Sequence, residues 1–363
     1  MSKHTTINKS LSPADLAACT TVAVDLAKNV FQVAGENSLG QVVHEQRIKS
    51  REAFHVFLRQ LSADVTVLME TGPGAQAWAR LLQAQGNPVR ILPAQRVAEH
   101  RSGAKNDRND VLAILRAGRD QKIAAVPVKS ESALAMQALH RVRQGCVRRH
   151  TALGNQMRGL LLEHGIALAQ GEMALSRDVP RVLEDPSQPL PDMLRELIDE
   201  ILAEWGQLGE HINVLTGRLE ASARADETAK RLMTIRGVGP IFSTAMLAKQ
   251  TEPERFANAR QFAAYFGTVP EQHSSGQKIR LGNMCKRGDA YLRSLAIQGA
   301  HSVLRQVRPD SEHPDDQRLR RWLSRHGQKG AAVRLANRNL RIMWVLLQNE
   351  QTYHRQPATG QRP

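Results

Sequence analysis

The stretch TTVAVDLAKNVFQVAGENSLGQVVHEQRIKS, residues 20–50, decides the fold. In TTVAVD, NVFQVAG and QVVHEQRI the valines alternate with other residues, the period expected of half-buried strands. The Asn and Gly of ENSLG mark the turn between the second and third runs, so the segment reads as an antiparallel meander. Further on, SREAFHVFLRQL (50–61) reads as a helix capped by serine. DVTVLME (64–70) reads as a short buried strand closed by TGPG, AQAWARLLQAQG (75–86) as a helix ending in glycine, and PVRILP (88–93) as another strand. The order β-β-β-α-β-α-β, then a helix opening within GAKNDRNDVLAI (103–114), predicts an α/β domain over about residues 18–128.

The 363 residues carry 50 Lys and Arg against 35 Asp and Glu, a net charge of +15. That excess calls for a polyanionic partner. Nucleic acid is favoured over a membrane surface, because the chain has no run of roughly 18 uncharged apolar residues, no basic amphipathic anchor and no lipidation motif. Aromatic residues make up only 4%, which favours phosphate contacts over a base-stacking platform. Three widely spaced cysteines, Cys19, Cys146 and Cys285, form no CxxC pair, and the N-terminus lacks the apolar core of a signal peptide. Both features predict a reducing, cytoplasmic setting.

Residues 1–17 are polar and expected to be loose. From about Ser130 the pattern changes to long helices, giving an arm over about 129–225. In its second helix Leu194, Ile198, Ile201, Trp205, Leu208, Ile212, Leu215 and Leu219 recur at spacings of four and three, a heptad seam that predicts coiled-coil packing. Leu139, Val142, Cys146, Leu153, Met157 and Leu160 form a looser seam in the first helix, with His150 as a tolerated seam residue rather than a ligand. The Pro-rich VPRVLEDPSQPLPD connects the two helices. The seam serves either an intramolecular hairpin or a subunit contact. An α-helical part follows over about 226–350, with a tail at 351–363. There RLMTIRGVGPIFSTAMLAK sets two apolar helices around GVGP, a helix-hairpin-helix pattern. Gly237 and Gly239 would let backbone N–H groups approach a phosphate beside Arg236; the alternative is a tight helix-helix turn.

Four carboxylates carry the chemistry. Asp25 ends the first strand and Glu70 the fourth, and in this topology those strands are neighbours, so the two acids converge. Asp107 and Asp110, at i and i+3, share a helix face able to pack across that end. Such a cluster repels itself unless cations neutralise it. Oxygen-seeking Mg²⁺ suits the donors, and a pair of ions would stabilise both the attacking and the leaving oxygen of a phosphodiester displacement. Lys105 and Arg108 flank the pair, either holding phosphates or as solvated helix charges. The order strand-Asp, strand-Glu, helix-DxxD resembles the ribonuclease-H-like fold of Holliday-junction (RuvC-like) resolvases. A resolvase would need nothing more, yet HSSGQKIRLGNMCKRGDAYLR (273–293) sets Ser274 and Ser275 in a polar loop followed by Lys278, Arg280, Lys286 and Arg287. A serine hydroxyl is a poor nucleophile without a base or a metal.

Taken in order, VDLAKNVF, METGPG, KNDRNDVLAI, RGVGPIFSTAMLA and FGTVPEQHSSGQKIRLGNMCKRGDAYLR resemble the DEDD-type insertion-sequence transposases of the IS110 family. The HSSG–KRGD version is similar to its IS1111 branch. The resemblance spans about residues 20–347. It implies that Asp25, Glu70, Asp107 and Asp110 hold Mg²⁺, and that Ser275, the serine directly before glycine, attacks a DNA phosphate to form a phosphoserine link. It further implies a noncoding bridge RNA pairing with double-stranded target and donor DNA, and subunits assembling around the synapse. The function expected is RNA-guided, site-specific DNA recombination. Its rivals are a resolvase-like endonuclease that hydrolyses with water and a non-catalytic nucleic-acid scaffold.

Overall fold

A computed structural model describes residues 16–273, 280–349 and 351–354. The chain forms two compact units, residues 1–130 and 131–363.

In the first unit the meander is present as β1 (Thr21–Leu26), β2 (Phe31–Glu36) and β3 (Val42–Ile48). After α1 (Arg51–Arg59) come β4 (Thr66–Glu70), α2 (Ala75–Ala84), β5 (Val89–Leu92), the short α3 (Ala94–Ala98) and α4 (Asp107–Arg119). The sheet order is β3-β2-β1-β4-β5, with β1 antiparallel to β2 and parallel to β4. This mixed sheet is compatible with a ribonuclease-H-like domain. Ser50 caps α1 by accepting from the Ala53 amide at 3.1 Å, as its sequence position predicts. Strand alternation divides the core between two faces. Val22, Val24, Val67 and Met69 meet Phe54 and Leu58 of α1 and Trp78 and Leu82 of α2 on one side. Ala23, Ala34 and Leu68 meet Val111, Ile114 and Leu115 of α4 on the other. The alanines of the central strands leave room for α4 to lie close to the sheet.

The second unit is helical: α5 (Glu131–Glu163), α6 (Glu172–Glu184), α7 (Asp192–Ala225), α8 (Glu227–Met233) and α9 (Pro240–Lys249). They are followed by α10 (Ala259–Tyr265), the hairpin β6 (Pro270–Gln272) and β7 (Leu281–Met284), α11 (Ala290–Arg305) and α12 (Pro314–Gln348), which breaks at Gly327. The residues of the α7 seam pack inward, with Ile198, Trp205, Leu208, Leu215 and Leu219 buried. Cys146 of α5 meets Leu208 and Leu215. Val142, expected in the α5 seam, is 52% exposed. The Pro-rich connector contains the last turns of α6, which runs through Pro180 and inserts Leu175 and Val179 against Met157 and Ile198. Pro270–Gln272 and Leu281–Met284, which the sequence did not mark as strands, pair antiparallel.

α9 is apolar nearly all round, as a buried helix should be, and a polar network ties it to its neighbours. The Thr244 hydroxyl donates to Pro240 O (2.7 Å), so it accepts from His140 Nε2 (3.1 Å), which leaves His140 Nδ1 to accept from Tyr291 Oη (3.0 Å). Arg143 Nε donates to Thr216 Oγ1 at 2.7 Å. α5, α7, α9 and α11 are thereby joined. The turn before α9 crosses α11 backbone to backbone: Gly237 has φ +90°, and a Cβ on Gly299 would lie 1.9 Å from Gly237 O.

Two outcomes follow from these contacts. Gly299→Ala should destabilise the second unit by roughly 2–3 kcal/mol, because the opposing atom is backbone and cannot rotate away. Gly206→Ala, a helical position with open space around it, should stabilise by ~0.5–1 kcal/mol; urea unfolding measures both. Burial, reinforced by Arg143, holds the His140 pKa down at about 4. The unfolded chain therefore binds a proton near pH 6.5 that the folded chain refuses. This penalty is absent above that pH and grows as pH falls toward 4, reaching at most about 3 kcal/mol. Wild-type protein should lose stability between pH 7 and 5 more steeply than His140→Gln.

Candidate active site

Asp25 and Glu70 are brought together by register. β1 and β4 run parallel with Val24 opposite Met69, so the acids that follow them leave the sheet at the same end. Alternation gives Asp25 the face of Ala23 and Glu70 the face of Leu68, which is the face α4 covers. Asn106 caps α4 by accepting from the Asn109 amide at 2.8 Å, placing Asp107 and Asp110 in the first helical turn. The positive end of the helix dipole favours acids there. The Asp107 side chain is 57% exposed and that of Asp110 only 17%.

The four acids share one electrostatic field. Burial raises the Asp25 pKa, and the charges of Asp110 and then Asp107 raise it further, against the pull of Arg101. Burial also raises Glu70, with Asp25 as the next cause, while Arg101 and Lys105 oppose it. Two arginines that sequence patterning did not single out offset the repulsion. Arg101 Nε lies 2.6 Å from Asp110 Oδ1, an ion pair without hydrogen-bond alignment, so that buried oxygen accepts no hydrogen bond. Arg47 Nη2 lies 3.4 Å from Asp107 Oδ2. Arg47, Gln32 and Asp25 form one row across the sheet, which points Arg47 toward the same helix end.

The donor set fits a hard divalent cation: all oxygen, crowded enough to repel, with one buried oxygen lacking a hydrogen bond. As the side chains stand, no three Asp, Glu, His or Cys among the described residues are gathered tightly enough to hold an ion. Asp107 and Asp110 are turned to their arginines and would have to exchange them for the metal.

The expected nucleic-acid contacts are more scattered. Lys105 is exposed, and Arg108 grips Glu45 of β3 through two hydrogen bonds of 2.6 and 2.7 Å. Arg236 pairs with Asp316 at 2.5 Å, and Asp316 also accepts from Ser311 Oγ. Gly237 serves the crossing with α11. Gly239 stands at the N-cap of α9 with nothing within 4 Å of its would-be Cβ. Ser274, Ser275 and Lys278 lie outside the described residues. Arg280, Lys286 and Arg287 are exposed. The end of the KRGD motif has structural work: Gly288, at φ +80°, meets Tyr265 O so closely that a Cβ would lie 2.0 Å from it. Asp289 caps α11 and pairs with Lys249 at 3.0 Å. Arg293 Nη1 donates to Arg287 O at 2.9 Å.

Comparison with known proteins accounts for both parts of the chain. A family profile for IS110-type DEDD enzymes, described as "Transposase", matches residues 22–166, and one described as "Transposase IS116/IS110/IS902 family" matches residues 229–314. A probable family 20 transposase of Pseudomonas aeruginosa is 40% identical over 92% of this chain and 98% of its own length. The chain belongs to the IS110 family of transposases. The transposase for insertion sequence element IS1111A of Coxiella burnetii is 33% identical over 92% of this chain and 90% of its own. That for element IS1328 of Yersinia enterocolitica is 33% identical over 90% and 96% respectively. Membership in the IS110 family implies enzymatic DNA recombination and a DNA partner, and DEDD-type transposase domains typically use a divalent metal. No helix among the described residues is long and apolar enough to cross a membrane.

The acid cluster makes a prediction independent of turnover. Asp25→Asn should raise the metal-free melting temperature, since it removes a half-buried charge from beside like charges, and should abolish the further rise on adding Mg²⁺ or Mn²⁺. Differential scanning fluorimetry with and without EDTA reads both effects.

Proposed function

We propose that this IS110-family transposase carries out RNA-guided, site-specific recombination of an insertion sequence, with Ser275 as nucleophile and Mg²⁺ held by Asp25, Glu70, Asp107 and Asp110. The convergence of two strand-end acids with two acids of one helix turn, on one sheet face and in one shared field, is the observation that carries the proposal. The working parts are a metal domain at 18–128, an arm at 129–225 and a serine domain at 226–350.

In the step proposed, the Ser275 hydroxyl forms a bond to a DNA phosphorus as the phosphorus–oxygen bond to the neighbouring deoxyribose breaks. The serine proton is lost and the departing deoxyribose oxygen gains one. Bound Mg²⁺ would lower the charge on the reacting phosphate and favour the ionised hydroxyl. Because one phosphoester replaces another, the reverse attack by a second strand's hydroxyl joins DNA without ATP. The carboxylates hold and orient; Arg47 and Arg101 keep Asp107 and Asp110 neutralised until they are needed. A noncoding bridge RNA selecting target and donor is supported by family membership and by the net charge of +15. Assembly of subunits through the arm is supported by exposed apolar residues near its tip, Leu162, Met173 and Met193.

The deciding experiment incubates purified protein with the element's own ends, target DNA, flanking RNA and Mg²⁺. Wild type should give recombinants and a protein–DNA adduct that survives denaturation, and Ser275→Ala and Asp107→Asn should reduce both to background. Cutting to free ends by Ser275→Ala would establish hydrolysis instead. Intact DNA processing in Asp107→Ala would leave only a scaffold role for the cluster. Recombination without the RNA would remove guidance.

A further inference from the structure

Away from the acid cluster, the second unit contains a groove of about 1240 Å³ between α10, the β6–β7 hairpin, α12 and the segment Gln351–His354. That is larger than the ~300–1,000 Å³ of an ordinary small-molecule cleft. Arg260, Arg318, Arg334, Arg338 and Arg341 line it, and no aspartate or glutamate does so among the described residues. Arg334, Arg338 and Arg341 fall at i, i+4 and i+7 on one face of α12. Arg318 and Arg338 are balanced by Asp315, at 3.4 and 3.0 Å. Arg260, Arg334 and Arg341 are exposed and make no ion pair among the described residues.

Three guanidiniums without an ion-pair partner, beside two that share Asp315, select a polyanion. The rest of the lining narrows the choice. Trp322 and Tyr353 face the groove together with apolar side chains of the hairpin and α12, including Leu281 and Val345. A duplex presents phosphates outward and hides its base faces, so it would use the arginines and waste this surface. An unpaired strand offers phosphates and exposed base faces together. We infer that this groove binds an unpaired nucleic-acid strand, its phosphates on Arg260, Arg334 and Arg341 and a base against Trp322. Taking nucleic acid as the ligand rests on the function proposed above; the single-stranded form rests on the groove itself. The hairpin forming one wall is the one between whose strands residues 274–279 fall.

The test is fluorescence anisotropy with full-length protein in EDTA, using labelled (dT)15, (rU)15 and a 15-base-pair duplex across 50–200 mM salt. Both single strands should bind more tightly than the duplex. The triple change Arg260→Gln, Arg334→Gln and Arg341→Gln should weaken them about tenfold or more and reduce the slope of log K against log salt by about 2. A control triple with the same charge change, Arg321→Gln, Arg325→Gln and Lys329→Gln, exposed on α12 outside the groove, should lose less than threefold. Oligonucleotide should quench tryptophan fluorescence in wild type and not in Trp322→Phe. A difference between (dT)15 and (rU)15 would tell a DNA strand from an RNA strand. Equal losses in the two triples, a preference for duplex, or equal competition by polyglutamate would overturn the inference. Because binding is read without metal and repeated in Ser275→Ala, a failed groove leaves the cleavage proposal standing, and failed cleavage leaves the groove standing.

Discussion

Mutual repulsion among carboxylates held against one face of a sheet is the constraint around which the first unit is arranged. Asp25 and Glu70 cannot relax away from each other, because register fixes their strand positions and the pleat fixes their face. α4 cannot retreat either, since Val111, Ile114 and Leu115 anchor it on the alanines of β1 and β2. Burial first, and the neighbouring carboxylates after it, therefore hold up the pKa values of these two half-buried acids. Arg47 and Arg101 bring partial relief. Each makes its ion pair with a helix-borne acid, and Arg101 also opposes the rise at Asp25 and Glu70. A divalent ion entering between the strands and α4 would meet two acids already in place and two held by exchangeable partners.

How much of this could be read from the chain depends on the range of the cause. Strand alternation in residues 20–50, the Ser50 cap and the α7 seam are local, and the structure contains them as expected. The acids at 25, 70, 107 and 110 were also legible, because strand-end and helix-start positions are sequence features and adjacency follows from topology. Arg47 and Arg101 were not, since an ion pair across a sheet depends on which row and face each side chain occupies. Glu45 was missed likewise: it lies in the row of Ala34 and Ala23, which points it at α4 and into the grip of Arg108. Arg108 therefore reads from sequence as either a phosphate ligand or a solvated helix charge, while in the fold it ties α4 to β3 through Glu45.

In the second unit proline and glycine were the least reliable guides. Pro180 suggested a connector, but Leu175 and Val179 bury against the arm, and that packing outweighs one lost helical hydrogen bond. His140 gave no signal at all. Its importance comes from partners 104 and 151 positions away, Thr244 and Tyr291. The β6–β7 hairpin escaped notice because its short strands, one starting at Pro270 and the other containing Gly282, lack an apolar alternation.

The glycines of GVGP and KRGD show why a motif can be specific to a family without every residue touching a ligand. Gly237 and Gly288 are both fixed by backbone crossings, one against α11 and the other against the end of α10, and a side chain at either would strike a main-chain carbonyl. These crossings draw the turn before α9 and the loop before α11 onto the same core, where Leu292, Ala296 and Phe266 pack. Asp289 then makes the arrangement rigid by capping α11 and reaching Lys249 at the end of α9. Lys286 and Arg287 are left exposed on the loop that these contacts tie to the core. Basic side chains carried on a glycine-locked frame of this kind would lose little conformational entropy on meeting any anion.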